Sequence, residues 1–425
     1  MIEKDKVNIL FRGWFEIPHS YAMVNCFQIV NLYKKYKDKI NFYIEEMPYF
    51  RQEWNNSRKL VYNSESNDII KKFKKWKGEK LDLIYSITYP YDINMFKNDG
   101  SHQEDTVIPK CVFYTSEFAT LDTNYFSLKT PILSDDMIRE YICKHDKLYM
   151  TSPSVWSSKG MEKYGMPSNR NRIITHGVDT DLFKYDISSR NNIRNFYGVK
   201  DDEILLINIG SMTKNKGMLF ILQSLNILVN KLNRKYYKLL LKGTADLYNS
   251  KRFLEIYFEE LQTGGVMTKE EMQNLLSNHI IFTDKTLSYS KINDLFNAAD
   301  LYLSPYLAEG FNLTCLESLS ANLPVMVPST GSTKEYIEDI YNNGGESHIF
   351  YIKSQVIDVG NGLKQNDITM ESLLNTLLQN EERIKMIRSN RLENKKMNVF
   401  IKNNYSWVKV SELLYDYFMY IIKGA

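Results

Sequence analysis

The chain is poor in the features that mark exported, membrane-spanning or nucleic-acid-coating proteins. Cysteine occurs four times in 425 residues, at Cys26, Cys111, Cys143 and Cys315, with no paired spacing. That excludes a disulfide framework and a cysteine-based zinc site, and it fits a reducing compartment. No run of about 18 apolar residues occurs, so no stretch reads as a membrane span. The apolar run in the opening MIEKDKVNILFRGWF is too short for a signal peptide, and a cytoplasmic location is expected. An excess of one charge is missing too: 54 Lys and Arg stand against 51 Asp and Glu, a net charge of +3, which calls for no nucleic-acid partner. There is no repeat at solenoid period, and composition sets no oligomeric state.

What is present is an ordinary globular balance, 43% hydrophobic and 25% charged, over a length comfortable for two domains. Short apolar runs alternate with helical patterns. Strands are expected at Val7 to Phe11, Ile40 to Ile44, Leu81 to Ile87, Cys111 to Thr115, Lys147 to Met150, Ile204 to Ile209, Tyr237 to Lys242, Ile280 to Thr283, Leu301 to Leu303 and Leu323 to Val327. Helices are expected at Ala22 to Tyr36, Gly217 to Leu232, Ser290 to Ala298, Leu313 to Ala321, Met370 to Met397 and from Trp407 through Ile422. Leu247 to Leu276 reads as largely helical around a turn at Thr263 to Val266. Asn55 to Asp68 is polar and reads as a loop, and Asn342 to Asp367 shows no clear pattern. The alternation implies an α/β fold with two parallel sheets.

The chain is organised around ADLYLSPYLAEGFNLTCLE, Ala299 to Glu317. It reads as a buried strand ended by Pro305, a loop bearing Glu309, and a helix that carries Glu317 one turn in. Ligands in such folds sit at the carboxyl ends of strands. Between the two glutamates, Gly310, Phe311, Asn312 and Leu313 bring backbone N–H groups to a helix N-terminus, where unpaired donors and the dipole favour a phosphate. A carboxylate on each side of an anion site suits a nucleotide sugar: ribose, diphosphate, hexose.

Glu309-Gly310-Phe311-Asn312-Leu313 through Glu317, with AADLYLSP before it and ESLSANLPVMVPSTGSTKEYI after it, resembles the E-x7-E element of GT-B fold retaining glycosyltransferases of family four, also called group 1. YMTSPSVWSSKGMEKYGMPSNRNRIITHGVDTDLF resembles that family's exit from its first domain, with His176 where Asn is usual; beside Gly177 it reads as structural. YSW at Tyr405 to Trp407, followed by an amphipathic helix, resembles the family's C-terminal segment. The resemblance implies two Rossmann-like domains facing a central cleft. Residues 1–184 would bind the acceptor, 185–202 would be a linker, 203–400 would bind the nucleotide sugar, and 401–425 would pack back on the first domain.

The roles the resemblance implies are as follows. Glu309 holds sugar hydroxyls and steadies positive charge on the ring, and Glu317 binds ribose hydroxyls. Lys216 matches the lysine that neutralises the donor diphosphate. Ser211 stands where relatives carry an arginine, and Lys214 is a candidate to supply that charge. The backbone at Thr283 and Asp284 is where relatives hold the base edge. The loop Gly210 to Gly217 has neither the spacing nor the Lys-Ser/Thr pair of a Walker A loop. In the first half, His19 and Ser20 replace a glycine-rich loop that touches phosphate or acceptor; a helix-capping role for His19 is the alternative. Glu117, just past the strand at Cys111 to Thr115, is a candidate to orient the acceptor or act as its base, or else to cap a helix.

No metal is expected. Asp179-Thr180-Asp181 sits in the domain-exit segment, the wrong context for a metal-binding DxD. No cofactor is expected beyond the co-substrate, a UDP- or GDP-linked sugar, with a glycan, lipid-linked or protein acceptor. Lys71 to Lys80, KKFKKWKGEK, reads first as a solvated helix face, with peripheral contact to anionic lipid as the alternative. The other functional readings are a catalytically silent glycosyltransferase-like subunit that binds an acceptor or partner protein, and a nucleotide-sugar epimerase.

Overall fold

Strands covered on both faces need unbroken apolar runs. Leu83–Ile87, Leu148–Ser152 and Val325–Pro328 are buried along their whole length. The structure, a computed structural model, describes residues 6–57, 64–97, 107–390 and 394–424. It divides into two units, Met1–Gly177 with Trp407–Ala425, and Val178–Ser406.

The first unit holds a seven-stranded parallel sheet in the order Asn171–Ile173, Leu148–Ser152, Lys110–Phe113, Leu83–Ile87, Val7–Gly13, Ile40–Glu46, Lys74–Lys75. The chain order reverses beside Val7–Gly13, which makes the carboxyl end of that strand the switch point where such sheets bind ligands. Gly13 ends the strand at a close approach. A Cβ there would lie 2.6 Å from both the Ile87 carbonyl oxygen and Asn25 Nδ2. Helix Trp407–Ile422 belongs to this unit. It lies on helix Ser20–Tyr36, with Phe27 stacked on Trp407 at 5.4 Å and Tyr36 on Tyr415 at 3.8 Å.

Two local readings fail here. Asn55 to Asp68 is not simply a loop: a 3₁₀ turn covers Gln52–Ser57 and a helix runs over Ser64–Lys72, while residues 58–63 lie outside the described set. Lys71 to Lys80 is not one helix face either. The helix stops at Lys72, and Lys74–Lys75 joins the sheet edge opposite Tyr43 and Ile44. Trp76 packs against a core of Leu10, Tyr43, Leu81, Ile84 and Ile108, and its Nε1 donates to the Glu79 carbonyl at 2.9 Å. Backbone pairing and one half-buried indole outweigh the helix propensity of the lysines. The side chains of Lys71, Lys72, Lys74, Lys75, Lys77 and Lys80 remain exposed.

The second unit holds a six-stranded parallel sheet in the order Ile280–Thr283, Tyr237–Lys242, Ile204–Ile209, Leu301–Leu303, Val325–Pro328, Ile349–Ile352. Alternate residues feed two cores. Leu206, Leu239, Leu241, Leu301 and Leu303 lie in one, and Leu205, Ile207, Leu240 and Tyr302 in the other. The unpatterned stretch from Asn342 resolves into strand Ile349–Ile352 and a hairpin, Gln355–Asp358 with Lys364–Asp367.

The stretch 185–202 was expected as a linker but carries a packed helix, Ile187–Tyr197. Asp186 starts it, accepting from the Ser188 and Ser189 N–H groups, and Gly198 ends it at φ +66°. Its Arg190 and Arg194 hold Asp300 at 2.6 and 3.1 Å, all three buried, and the second Asp300 oxygen also accepts from the Leu205 N–H. Arg190 donates as well to the carbonyls of Asn297, Ala298 and Ala299, where helix Tyr289–Ala298 ends. Asp179 accepts from the Asp181 and Leu182 N–H groups at 3.1 Å, so the DxD-like triplet is a turn. No described helix is long and apolar enough to cross a membrane.

Candidate active site

Two loops leave the carboxyl ends of neighbouring strands, Ile204–Ile209 and Leu301–Leu303, and are stitched together. The Asn215 carbonyl accepts from the Leu307 N–H at 2.7 Å, and Asn215 Nδ2 donates to the Ala308 carbonyl at 2.9 Å. The stitching brings Lys216 to Glu309: the ammonium donates to Oε1 at 2.6 Å, with both side chains largely buried. Gly217 makes the approach possible. It sits at φ +70°, and a Cβ there would fall 1.9 Å from the Pro305 carbonyl oxygen. Both terms bar any other residue.

Asn312 stands where the resembling motif usually has glycine, and the backbone shows why asparagine serves. Its φ and ψ are 70° and 66°, a left-handed conformation that Asn tolerates best after Gly. Its Nδ2 donates to Ser304 Oγ at 2.9 Å, its Oδ1 accepts from Thr314 Oγ1 at 3.1 Å, and its carbonyl accepts from the Tyr336 hydroxyl at 3.2 Å. The asparagine side chain therefore holds the loop onto helix Leu313–Ser320. That helix starts with no side-chain cap, so its first N–H groups suit an anion.

The other expected donor-site residues divide. Phe311 is buried and stacked on Tyr336 at 4.6 Å, so its ring is core and only its backbone, with that of Gly310, lines the loop. Leu313 packs against the same core. The Thr283 carbonyl accepts from the Gly243 N–H at 2.8 Å, and that of Asp284 from Ala245 at 2.9 Å, so both spend a lone pair inside the fold. Ser211 Oγ is 3.0 Å from Thr213 Oγ1, and Lys214 is exposed.

Glu317 is buried, and no hydrogen bond or ion pair reaches its carboxyl among the described residues. Burial alone pushes its pKa up to about 8. The folded chain therefore holds a proton on Glu317 that the unfolded chain gives up near the usual carboxylate range. Its contribution to stability is greatest below that range, falls as pH rises toward about 8, and levels off above it. Urea unfolding of wild type and Glu317→Gln from pH 4 to 9 is expected to show the variant gaining relative stability across that window. A difference that does not change with pH would refute the assignment.

Sequence reading missed Lys242 and Asn366. Lys242 is buried at the carboxyl end of its strand. Its Nζ donates to the Gly243 carbonyl at 2.5 Å, and burial lowers its pKa to about 8 against the pull of Asp284 and Asp246. A lysine closing an apolar strand just before Gly243-Thr244 was the available signal. Asn366 came from the unpatterned region. Its Nδ2 donates to the Tyr306 carbonyl at 3.2 Å and its Oδ1 accepts from Thr330 Oγ1 at 2.8 Å, which ties the hairpin to the loop before Glu309.

In the first unit, His19 caps helix Ser20–Tyr36, its Nδ1 accepting from the Tyr21 N–H at 3.1 Å. Trp14, Tyr21 and Trp54 rings lie 5.1, 5.3 and 5.2 Å away, and burial lowers the imidazole pKa to about 4. His19 is thus a neutral cap at physiological pH. Ser20 is exposed beside it. Glu117 is half-buried four residues past Lys110–Phe113, and its carbonyl accepts from Trp156 Nε1 at 2.8 Å. Buried His176 lies against Phe113 and Trp407, consistent with packing.

Residues 203–353 match a family model described as glycosyl transferases group 1. An uncharacterized glycosyltransferase of Methanocaldococcus jannaschii is 23% identical over 220 residues, 50% of this chain and 51% of that one. The O-antigen biosynthesis glycosyltransferase WclY of Escherichia coli is 24% identical over 232 residues, 52% and 55%. The chain thus spans about half the length of the curated relatives it matches. Among solved structures, Anabaena HepE in complex with UDP-glucose aligns over 96% of this chain and 98% of its own, with a TM-score of 0.58 at 13% identity. The chain has the GT-B fold of two Rossmann-like units, and across residues 203–353 its second unit is similar in sequence to the group 1 glycosyltransferases.

Proposed function

We propose that this chain is a retaining glycosyltransferase of family four. It moves a hexosyl group from a UDP- or GDP-linked donor to a hydroxyl of a glycan, lipid-linked or protein acceptor, without an essential metal. The observation that carries the reading is the Lys216–Glu309 pair at 2.6 Å, set beside the uncapped start of helix Leu313–Ser320. A cation, a carboxylate and a helix start without a side-chain cap, at the ends of adjacent strands, match the charge pattern of a nucleotide sugar about to lose its diphosphate.

The second unit takes the donor. Lys216 has three donors, so it can keep Glu309 and still meet a phosphate. The helix N-terminus shares the leaving charge, Glu309 accepts sugar hydroxyls and opposes positive charge on the ring, and Glu317, protonated near neutral pH, exchanges hydrogen bonds with ribose hydroxyls. The first unit takes the acceptor, with Glu117 orienting its hydroxyl. The exposed lysines from Lys71 to Lys80 suit peripheral contact with an anionic lipid surface on the cytoplasmic side.

Ser211 favours a second reading, a silent subunit that binds ligand without turnover, because the arginine of the resembling motif is replaced there by a neutral residue. The test is a thermal-shift screen against UDP, GDP, ADP, CMP and their sugar conjugates, in EDTA and then with Mg²⁺. A ligand bound only by the folded chain raises the midpoint by mass action. One nucleotide class is expected to raise it, in EDTA as well as with metal. No shift with any of them, in folded protein, would sink the transferase reading; a shift with no turnover on any acceptor would support the silent subunit.

A further inference from the structure

The carboxyl ends of four parallel strands in the first unit all run into aromatic residues. Val7–Gly13 leads to Trp14, Ile40–Glu46 to Phe50 and Trp54, Leu83–Ile87 to Tyr89 and Tyr91, and Lys110–Phe113, by way of Glu117, to Tyr125. The rings form two layers. Trp14, Trp54 and Tyr91 are buried, whereas Tyr89 and Tyr125 are half-buried and Phe50 is 51% exposed. Phe50 stands 4.9 Å from Tyr89, and Tyr89 stands 5.8 Å from Tyr125, with ring planes near perpendicular. The Tyr21 and Tyr91 hydroxyls meet at 2.9 Å across the switch point, and Tyr91 donates to the Thr115 carbonyl at 2.6 Å. This is a braced aromatic surface at the place where an open parallel sheet receives its ligand.

We infer that Phe50, Tyr89 and Tyr125 form a stacking platform for the pyranose ring of an uncharged glycan, with Glu117 accepting its hydroxyls. The inference rests on the transferase reading and narrows its acceptor to carbohydrate. Three observations select this occupant. A pyranose ring has an apolar C–H face and a rim of hydroxyls, which matches rings edged by phenol hydroxyls and carboxylates. Burial raises the pKa values of Tyr21, Tyr89 and Tyr125; the charge of Asp122 adds to it for Tyr89 and Tyr125 and that of Glu117 for all three, so carboxylates lie close to the platform and disfavour phosphate or uronate there. The neighbouring cation, Arg51, lies over Trp54 at 5.9 Å. A nucleic-acid base would stack equally well but brings phosphates, which need cations in place of Glu117. An acyl chain has no use for the hydroxyl rim.

The test is saturation-transfer NMR with the full chain and three probes: neutral oligosaccharides of glucose, galactose, mannose and N-acetylglucosamine; oligogalacturonate; and phosphatidylglycerol vesicles. At least one neutral oligosaccharide is expected to bind, with transfer to aromatic protons. Phe50→Ala and Tyr89→Ala are each expected to weaken it about tenfold, Tyr89→Phe to keep most of the affinity, and the melting temperature and nucleotide binding to stay unchanged. Loss of affinity in Tyr89→Ala restored in Tyr89→Phe separates stacking from a structural or hydroxyl role. Binding to none of the neutral sugars, preference for the uronate or the vesicles, or neutral-sugar binding that ignores both alanine changes would overturn the inference. Nucleotide binding is read separately, so a failed platform with an intact nucleotide shift leaves the transferase reading standing. The reverse result sinks that reading alone.

Discussion

Glu309→Gln is expected to lower the turnover number about 10²- to 10³-fold, while the dissociation constant for the donor nucleotide changes only a few-fold. Glutamine keeps an oxygen for the Lys216 ammonium, which donates to Glu309 Oε1 at 2.6 Å, so the loop and its neighbour stay in place. What is lost is the negative charge. In the proposed reaction the sugar ring gains positive character as the bond to diphosphate breaks, and a fixed carboxylate beside it lowers that barrier without binding the ground state more tightly. The effect therefore belongs in kcat.

Glu309→Ala is a poorer probe. It leaves a largely buried ammonium without its partner, and stability is expected to fall by about 1–3 kcal/mol together with rate. Initial rates with the donor picked out by the thermal-shift screen, together with nucleotide titration of the same preparations, check both statements. Full turnover in Glu309→Gln would show that this carboxylate is not part of the reacting site.

The second large effect is structural. Asp300→Ala is expected to destabilise the second unit by about 3–5 kcal/mol, because it leaves Arg190 and Arg194 charged, buried and without a counter-ion. It also removes the acceptor for the Leu205 N–H at 2.9 Å. Burial lowers the Arg194 pKa, and the charge of Asp300 opposes that shift, so the carboxylate offsets the cost of burying a guanidinium that stays ionised. Urea unfolding reads the cost directly. Replacing all three charges by apolar residues of similar volume is expected to recover much of it, since the penalty comes from unpaired charge rather than from the loss of an ion pair as such. A shift of less than about 1 kcal/mol in Asp300→Ala would mean that the helix Ile187–Tyr197 is held by other contacts.

These two residues show how differently sequence reports on site and scaffold. Asp300 and Glu309 lie nine positions apart in one recognisable stretch. Glu309 was legible as a candidate site residue because strand, loop and helix follow from hydrophobic period and from Pro305, which put a carboxylate at a strand's carboxyl end. Asp300 was legible only as the start of a strand. Its partners, Arg190 and Arg194, sit in a run of Ser, Arg and Asn that lacks an apolar stripe. Composition pointed there to a linker, although the stop and start residues Asp186 and Gly198 were in plain view. Polar side chains that spend themselves on one buried carboxylate leave no periodic signal.

By itself the sequence determined the two parallel sheets, the positions of most strands and helices, and the Lys216 and Glu309 loops. Each of these follows from local chemistry: apolar period, and proline and glycine geometry. Tertiary structure alone decided that Asn312 turns left-handed before helix Leu313–Ser320, that Lys216 meets Glu309, that the Phe311 ring belongs to the core, that no described residue pairs with the buried Glu317 carboxyl, and that Phe50, Tyr89 and Tyr125 share one surface. Those facts depend on residues far apart in the chain being brought within a few ångströms, and on how much water the packing leaves around each charge. Neither quantity is written in any local stretch of residues.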